Sequence, residues 1–200
     1  MKNNKELLQP IIFFWAFLPL INLAYLIFTD NLGVNPHEFI QRYLGTCALV
    51  LLLLTYSIPL IAYPISPQLM KSRRMFGLFT FTYMSCHFLS YLAFEHAFVL
   101  RDFINDFFTR PFVLFGTFAI FITVPLALTS NNRSMKVLGK WWKKLHSTIN
   151  FIIVLSLAHY FLHKSGKNDF LWPIVASIFF LLLYAIKKLR NVRVAKKTAS

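Results

Sequence analysis

Six times between residues 8 and 187 the chain runs for about twenty residues with almost no charge, in segments of roughly 8–28, 44–63, 75–95, 111–129, 146–163 and 170–187. A helix rises ~1.5 Å per residue, so each run is long enough, or nearly so, to cross a hydrocarbon layer of ~30 Å. No water in that layer can take up backbone N–H and C=O groups, so a lone spanning segment must be helical. The expected fold is all-α: an integral membrane bundle of six transmembrane helices, with residues 1–200 as a single unit. Composition agrees, since 57% of the 200 residues are hydrophobic, 14% are charged and 23 are Phe, outside the range of soluble domains. Pro19, Pro59 and Pro125 fall inside three of the runs, where neighbouring helices can satisfy the freed carbonyls; kinks are expected there, not boundaries. Residues 1–28 resemble a signal peptide in having Lys2 and Lys5 before an apolar run, but that run is long and "FTDNLGVNP" offers no small-residue cleavage pattern. It is expected to stay as the first span.

The formal net charge of +14 could suggest a nucleic-acid partner, but the basic residues sit in short groups beside the apolar runs and not along one polar face. The amino terminus, the "SPQLMKSRR" loop, the "NNRSMKVLGKWWKK" loop and the tail after Ala185 hold 2, 3, 5 and 6 Lys or Arg. The alternate connections hold Arg42, Arg101, Arg110, Lys164 and Lys167 against Asp30, Glu38, Asp102, Asp106 and Asp169. By the positive-inside rule both termini are cytoplasmic. Trp15, Trp141, Trp142 and Trp172 lie mostly near span ends, as in an interfacial aromatic belt. Cys47 and Cys86 lie within apolar runs, far from any metal-binding or disulfide spacing, and are expected to be small buried hydrophobes.

Two of the six histidines fall deep in apolar runs. His87 is twelve residues past Met75 and His159 thirteen past His146, on helices that should run in the same direction. Their imidazoles should therefore lie at nearly one depth, ~17–20 Å from the cytoplasmic edge. Each could instead satisfy itself with a hydrogen bond to a neighbouring helix. Two at matched depth, with no other buried charge, favour axial ligation of one iron, as in a bundle that holds a b-type heme. Zinc is disfavoured, because no carboxylate or thiolate lies at that level to complete a tetrahedron. His146 stands at the cytoplasmic edge, about 220° around an ideal helix from His159, and the matching level of the third span holds Arg73 and Arg74, not a histidine. It could ligate iron alone, contact a flavin or quinone headgroup, or snorkel. His163, one turn past His159, suits an interfacial or supporting role; His96 is expected at the outer interface and His37 on an outer surface.

The stretches "RRMFGLFTFTYMSCHFLSY", "TRPFVLFGTFAIFITVPLALTS" and "LGKWWKKLHSTINFIIVLSLAHYF" resemble the MsrQ (YedZ) family, heme-binding membrane subunits of periplasmic methionine sulfoxide reductase systems, within the ferric-reductase-like transmembrane superfamily. The likeness runs from the first span into the sixth. It implies that His87, His146 and His159 are the histidines associated with heme. It also implies an electron conduit in the bacterial inner membrane, drawing on the quinone pool or a cytosolic flavin reductase and supplying a periplasmic molybdopterin methionine sulfoxide reductase that repairs oxidised proteins. Bound FMN beside heme b follows from the resemblance alone. The second span, "RYLGTCALVLLLLTYSIPLIA", keeps a Gly followed by Ala-Leu but departs from the family in lacking the Arg and Trp associated with it near that glycine.

In such a conduit His146, Arg73, Arg74, Lys143 and Lys144 would mark the side where electrons arrive, although topology alone also accounts for those bases. A docked partner would meet the connections 29–43, 97–110 and 164–169. "FTRPF" at 108–112 reads as the start of the fourth span, with Pro111 in the first helical turn. No Ser/His/Asp set, carboxylate pair or phosphate-cradling glycine loop is present, so no independent substrate turnover is expected. A stand-alone metal or oxygen reductase would need a nucleotide and flavin domain, and about 13 residues after the sixth span are too few for one. A histidine-using transporter or assembly factor would call for intramembrane carboxylates or an inverted repeat, and neither is present.

Overall fold

The computed structural model describes residues 3–65, 69–165 and 168–199. Lys2, Lys167 and residues 66–68 of the "SPQLMKSRR" loop lie outside the described residues. Among the described residues the regular structure is entirely helical: α1 (Asn3–Phe28), α2 (Pro36–Ile65), α3 (Leu69–His96), α4 (Leu100–Thr109), α5 (Pro111–Leu128), α6 (Asn132–Leu138), α7 (Lys140–Ser147), α8 (Ile149–Ser165) and α9 (Leu171–Ala199).

Five stretches are long and apolar enough to cross a membrane: Leu7–Phe28, Pro36–Ala62, Pro111–Leu128, Lys140–Lys164 and Leu171–Arg193. α3 has the length, at 28 residues, but Lys71, Arg73, Arg74, Glu95 and several hydroxyls dilute its hydropathy. The buried hydroxyls are satisfied inside the bundle. Thr80 and Ser72 are buried; the Thr80 hydroxyl donates to the Phe76 carbonyl at 2.9 Å, and Gln9 Nε2 on α1 donates to Ser72 Oγ at 2.9 Å. Pro19 and Pro125 stand inside continuous helices, and α2 runs unbroken past Pro59. Pro111 opens α5 at its first positions, with Arg110 as the extended N-cap residue, as its locked φ favours.

α2 and α3 pack antiparallel over their length. Gln41 near the start of α2 reaches Glu95 near the end of α3, and Gly77 near the start of α3 lies beside Thr55. α5 and α8 form a second antiparallel pair, joined at one end by Phe112 and His159 and toward the other by Thr129 and His146. α1 closes the first pair with an apolar layer of Ala16, Leu23, Leu44, Ala48, Phe76 and Tyr83. α9 closes the second, where Phe180 and Leu183 meet Tyr56, Ile152 and Ile153. Outward faces stay apolar: Phe14, Leu18, Phe121, Phe151 and Leu181 are all more than half exposed, as lipid-facing side chains are and those of a soluble protein are not.

Tyr83 has no solvent exposure, and its hydroxyl donates to the Ala16 carbonyl at 2.9 Å. Tyr83→Phe leaves that carbonyl without its second partner while keeping the ring. It is expected to cost about 1–2 kcal/mol, read as a lower thermal midpoint in detergent; an unchanged midpoint would mean the bond ties α1 to α3 only weakly.

One expectation needs correction. Residues 97–110 are not an open connection: 100–109 form α4, held by a buried polar knot. Asp106 Oδ2 accepts from the Tyr91 hydroxyl at 2.7 Å and lies 3.2 Å from His96 Nε2, while Asp106 Oδ1 lies 3.2 Å from Arg110 Nε. His96, expected at the interface, is 9% exposed and part of this knot. Asp106→Leu leaves the Tyr91 hydroxyl and the buried His96 with only each other, at 3.0 Å, and frees the half-exposed Arg110; it is expected to loosen α4 and cost roughly 1–3 kcal/mol. Hydrogen exchange confined to 97–110 would register it.

Candidate functional site: two imidazoles across a cavity

His87 on α3 and His159 on α8 face one another, with ring centroids 5.9 Å apart and planes at 79°. They line a cavity of about 780 Å³ bounded by α2, α3, α5, α8 and α9, within the size range of small-molecule and cofactor sites. Depth counting along the two helices placed them at one level, and the structure brings them together.

The two histidines are held in the same way. Nδ1 of His87 donates to the Gln41 carbonyl at 2.9 Å, and Nδ1 of His159 donates to the Phe112 carbonyl at 2.7 Å. In each case a glycine stands four residues further along the accepting helix, Gly45 on α2 and Gly116 on α5. The ring lies flat against it: a Cβ at Gly45 would meet His87 Cε1 at 3.1 Å, and one at Gly116 would meet His159 Nδ1 at 2.7 Å. A helical carbonyl already bonded to the N–H one turn on keeps a second lone pair. The missing side chain at the glycine is what lets an imidazole reach it. Because Nδ1 carries the donated proton, Nε2 is the unprotonated nitrogen on both rings, the tautomer that can ligate a metal.

The spacing suits one metal ion between the rings. Metal–imidazole bonds are ~2.0–2.1 Å and the ring centre lies ~1.1 Å beyond the nitrogen, so two axial imidazoles place their centroids about 6 Å apart. Among the described residues no group of three or more His, Cys, Asp or Glu side chains converges, so a metal held by the pair would take its other ligands from a bound group. An apolar slot between two opposed imidazoles accommodates a flat macrocycle that supplies four equatorial nitrogens.

The other histidines have different surroundings. His163 stacks parallel to His159 at 6.4 Å and packs on Phe112 at 5.4 Å, beside the site and lining the same cavity. His37 stacks on Phe94 at 4.5 Å. His146 is on α7, apart from the pair: its Nε2 lies 3.1 Å from the Thr129 hydroxyl, and its ring stacks on Trp142 at 4.0 Å, whose indole N–H donates to the Thr129 carbonyl at 2.9 Å. Arg73 is half-buried, whereas Arg74, Lys143 and Lys144 are exposed; Lys144 lies 5.1 Å over the Trp141 ring. Sequence reasoning missed the glycines and their carbonyls. Their only trace is a glycine four residues past an accepting position, and that has meaning only once the opposite helix is in register.

Fold and site together define a multi-pass helical membrane protein built around a bis-imidazole cavity. Residues 43–157 match the family described as ferric reductase like transmembrane component. The protein-methionine-sulfoxide reductase heme-binding subunit MsrQ of Herminiimonas arsenicoxydans is 38% identical over 183 residues, covering 90% of this chain and 84% of the relative. Its Bordetella pertussis counterpart is 38% identical over 178 residues, 88% and 86% of the two chains. The magnetosome protein MamZ of Paramagnetospirillum magneticum is 35% identical over 94% of this chain, which matches 30% of that longer protein. The chain belongs to the ferric reductase-like transmembrane family and, within it, to the MsrQ group.

Proposed function

We propose that this chain is the b-type heme-binding membrane subunit of a methionine sulfoxide reductase system, passing electrons across the bacterial inner membrane to a periplasmic partner. The observation that carries the proposal is the pair of opposed imidazoles lining one cavity, each fixed through Nδ1 with Nε2 left unprotonated. His87 and His159 would be the axial ligands. When bound, the heme iron supplies a one-electron carrier that changes valence without moving. The protein's part is to fix both rings through Gln41 and Phe112, to surround the group with apolar walls, and to set its depth.

The fold proposed with this function has six crossings in one domain over residues 1–200, with both termini cytoplasmic. α3 is the sixth crossing. Its antiparallel packing along α2 supports this, and Ser72, Tyr83, His87 and Tyr91 spend their polar groups on neighbouring helices. Electrons would arrive from membrane quinones or a cytosolic flavin reductase on the side of His146, Arg73, Arg74, Lys143 and Lys144, and leave on the side of α4 toward a molybdopterin-containing catalytic subunit. FMN rests on family resemblance alone. His146 is assigned to this donor side and not to a second bis-histidine heme, since its Nε2 meets Thr129 and no second imidazole.

The deciding experiment is a reduced-minus-oxidised optical spectrum of the purified protein, followed by reduction with a quinol analogue and reoxidation by the catalytic subunit. Low-spin b-type bands that bleach on adding oxidised partner are the expected result. A protein without such bands would end the electron-conduit proposal. Reporter fusions after Arg193 and within 130–140 should both read as cytoplasmic.

A further inference from the structure

The cavity is not uniform along its length. Past the histidine level, toward the inner side, the walls are Leu49, Leu53, Met84 and Ile120, whereas Arg42, Arg110 and Lys164 also line the cavity. Chain order puts all three cations on one side of the histidine level. Arg42 precedes Gly45 on α2, Arg110 precedes Gly116 on α5, and Lys164 follows His159 on α8.

Each cation is steadied by a neighbouring acid. Arg42 Nη1 lies 3.4 Å from Glu38 Oε1, Arg110 Nε lies 3.2 Å from Asp106 Oδ1, and Lys164 Nζ is bonded to Asp169 Oδ2. The Asp106 contact engages Nε of Arg110, not the two terminal nitrogens at the end of the side chain. Lys164 is buried, its side chain 7% exposed, which a lysine tolerates only where an anion compensates it. Two acids also line the mouth, Glu38 and Glu95. Glu38 is engaged with Arg42, and Glu95 accepts from Gln41 Nε2 at 3.3 Å.

A flat ligand with two carboxylates on one edge and hydrocarbon on the other matches this gradient. Resting on the heme proposal above, we infer that Arg42, Arg110 and Lys164 form a carboxylate-binding mouth that holds the two propionates of the porphyrin. The propionate edge is thereby turned to the outer face and the hydrocarbon edge to the bundle interior. The reverse orientation would set two carboxylates among Leu49, Leu53 and Ile120, at a large desolvation cost. Asp106, held in turn by Tyr91 and His96, acts as a positioning residue for Arg110. The ligand's charged edge then lies on the same side as α4, where electrons are proposed to leave.

The test uses the full-length protein produced under heme limitation and reconstituted with heme or with heme dimethyl ester, in which both carboxylates are blocked while ring and iron are unchanged. Both should give bis-imidazole spectra, with the ester bound roughly ten- to a hundredfold more weakly, as expected for lost charge-assisted hydrogen bonds. Arg42→Gln, Arg110→Gln and Lys164→Gln should each weaken heme more than ester and narrow that gap, whereas Lys71→Gln at the opposite end of α3 should leave it unchanged. Ester binding as tight as heme in the unmutated protein overturns the carboxylate mouth and leaves axial ligation standing. Absence of a bis-imidazole spectrum with either porphyrin overturns the heme proposal and the mouth with it. Should the variants fail to fold, the comparison on the unmutated chain decides alone.

Discussion

Alanine at position 87 or at position 159 is expected to abolish the low-spin b-type spectrum and to lower bound heme to less than roughly a tenth of the unmutated level, since even losing a residue that merely supports a metal ligand costs 10–100-fold in affinity. The size of the effect follows from the geometry. The rings stand 5.9 Å apart, and removing either leaves one axial position facing a void of side-chain size inside an apolar wall. No described side chain can replace it at that level. His163 is the nearest candidate for His159, one turn along α8, but its ring stacks parallel at 6.4 Å beside the site and cannot reach across the cavity without unwinding the helix end. His163→Ala should therefore keep the bis-imidazole bands, and His159→Ala should not be rescued by His163. His146→Ala should leave the bands in place as well, because that ring lies against Trp142 and Thr129. It should alter electron uptake from the donor if His146 serves there. Bands surviving both His87→Ala and His159→Ala would move the ligands elsewhere and overturn the assignment.

Depth was legible in the sequence because helical rise is constant: thirteen residues from His146 to His159 and twelve from Met75 to His87 fix a common level without any knowledge of packing. The long apolar runs were legible for the same reason, since lipid imposes one rule on every residue of a span. What could not be read depends on register between helices. Glu95 and Gln41 meet, and Asp106 gathers Tyr91, His96 and Arg110, only after α2, α3 and α4 are docked, so His96 in isolation looked like an interfacial residue. α4 itself was hidden because "LRDFINDFFT" is short, and its Phe103, Phe107 and Asp106 read as a mixed polar loop until the helix turns them onto α3 and α5. α3 shows the opposite failure. Its charges and hydroxyls pull its mean hydropathy below that of the other long helices, yet it is the helix that presents His87, and its buried hydroxyls bond to its own backbone, to Gln9 or to the Ala16 carbonyl. Polarity in a membrane helix is a sign of what it packs against.

Among the described glycines, Gly116→Ala is expected to be the most damaging substitution. The new Cβ would stand 2.7 Å from His159 Nδ1 and 3.0 Å from Cε1, inside van der Waals contact on the very atom that donates to the Phe112 carbonyl at 2.7 Å. The ring cannot retreat and keep that bond. Moving it releases the Nδ1 proton from its acceptor, frees the imidazole to turn, and changes its position relative to His87. Overpacking of this kind costs about 1–3 kcal/mol and the lost hydrogen bond about 1 more. Heme affinity is therefore expected to fall roughly ten- to a thousandfold while the bundle itself stays assembled. Gly45→Ala should follow at smaller size, because its nearest contacts are His87 Cε1 at 3.1 Å and Nδ1 at 3.3 Å, where a ring displacement of a few tenths of an ångström suffices. Gly77→Ala is the control: its Cβ would meet only Thr55 Cγ2 at 3.7 Å, an ordinary contact on the same pair of helices, and helix propensity favours the change. Heme per protein, the low-spin signals of the ferric form and the elution volume in detergent should rank the three as Gly116→Ala most affected, then Gly45→Ala, with Gly77→Ala near the unmutated protein. A Gly116→Ala protein with full heme content and an unshifted ferric spectrum would show that His159 does not hold the iron from this position, because a ligand ring cannot be displaced by a methyl group and leave its metal unchanged.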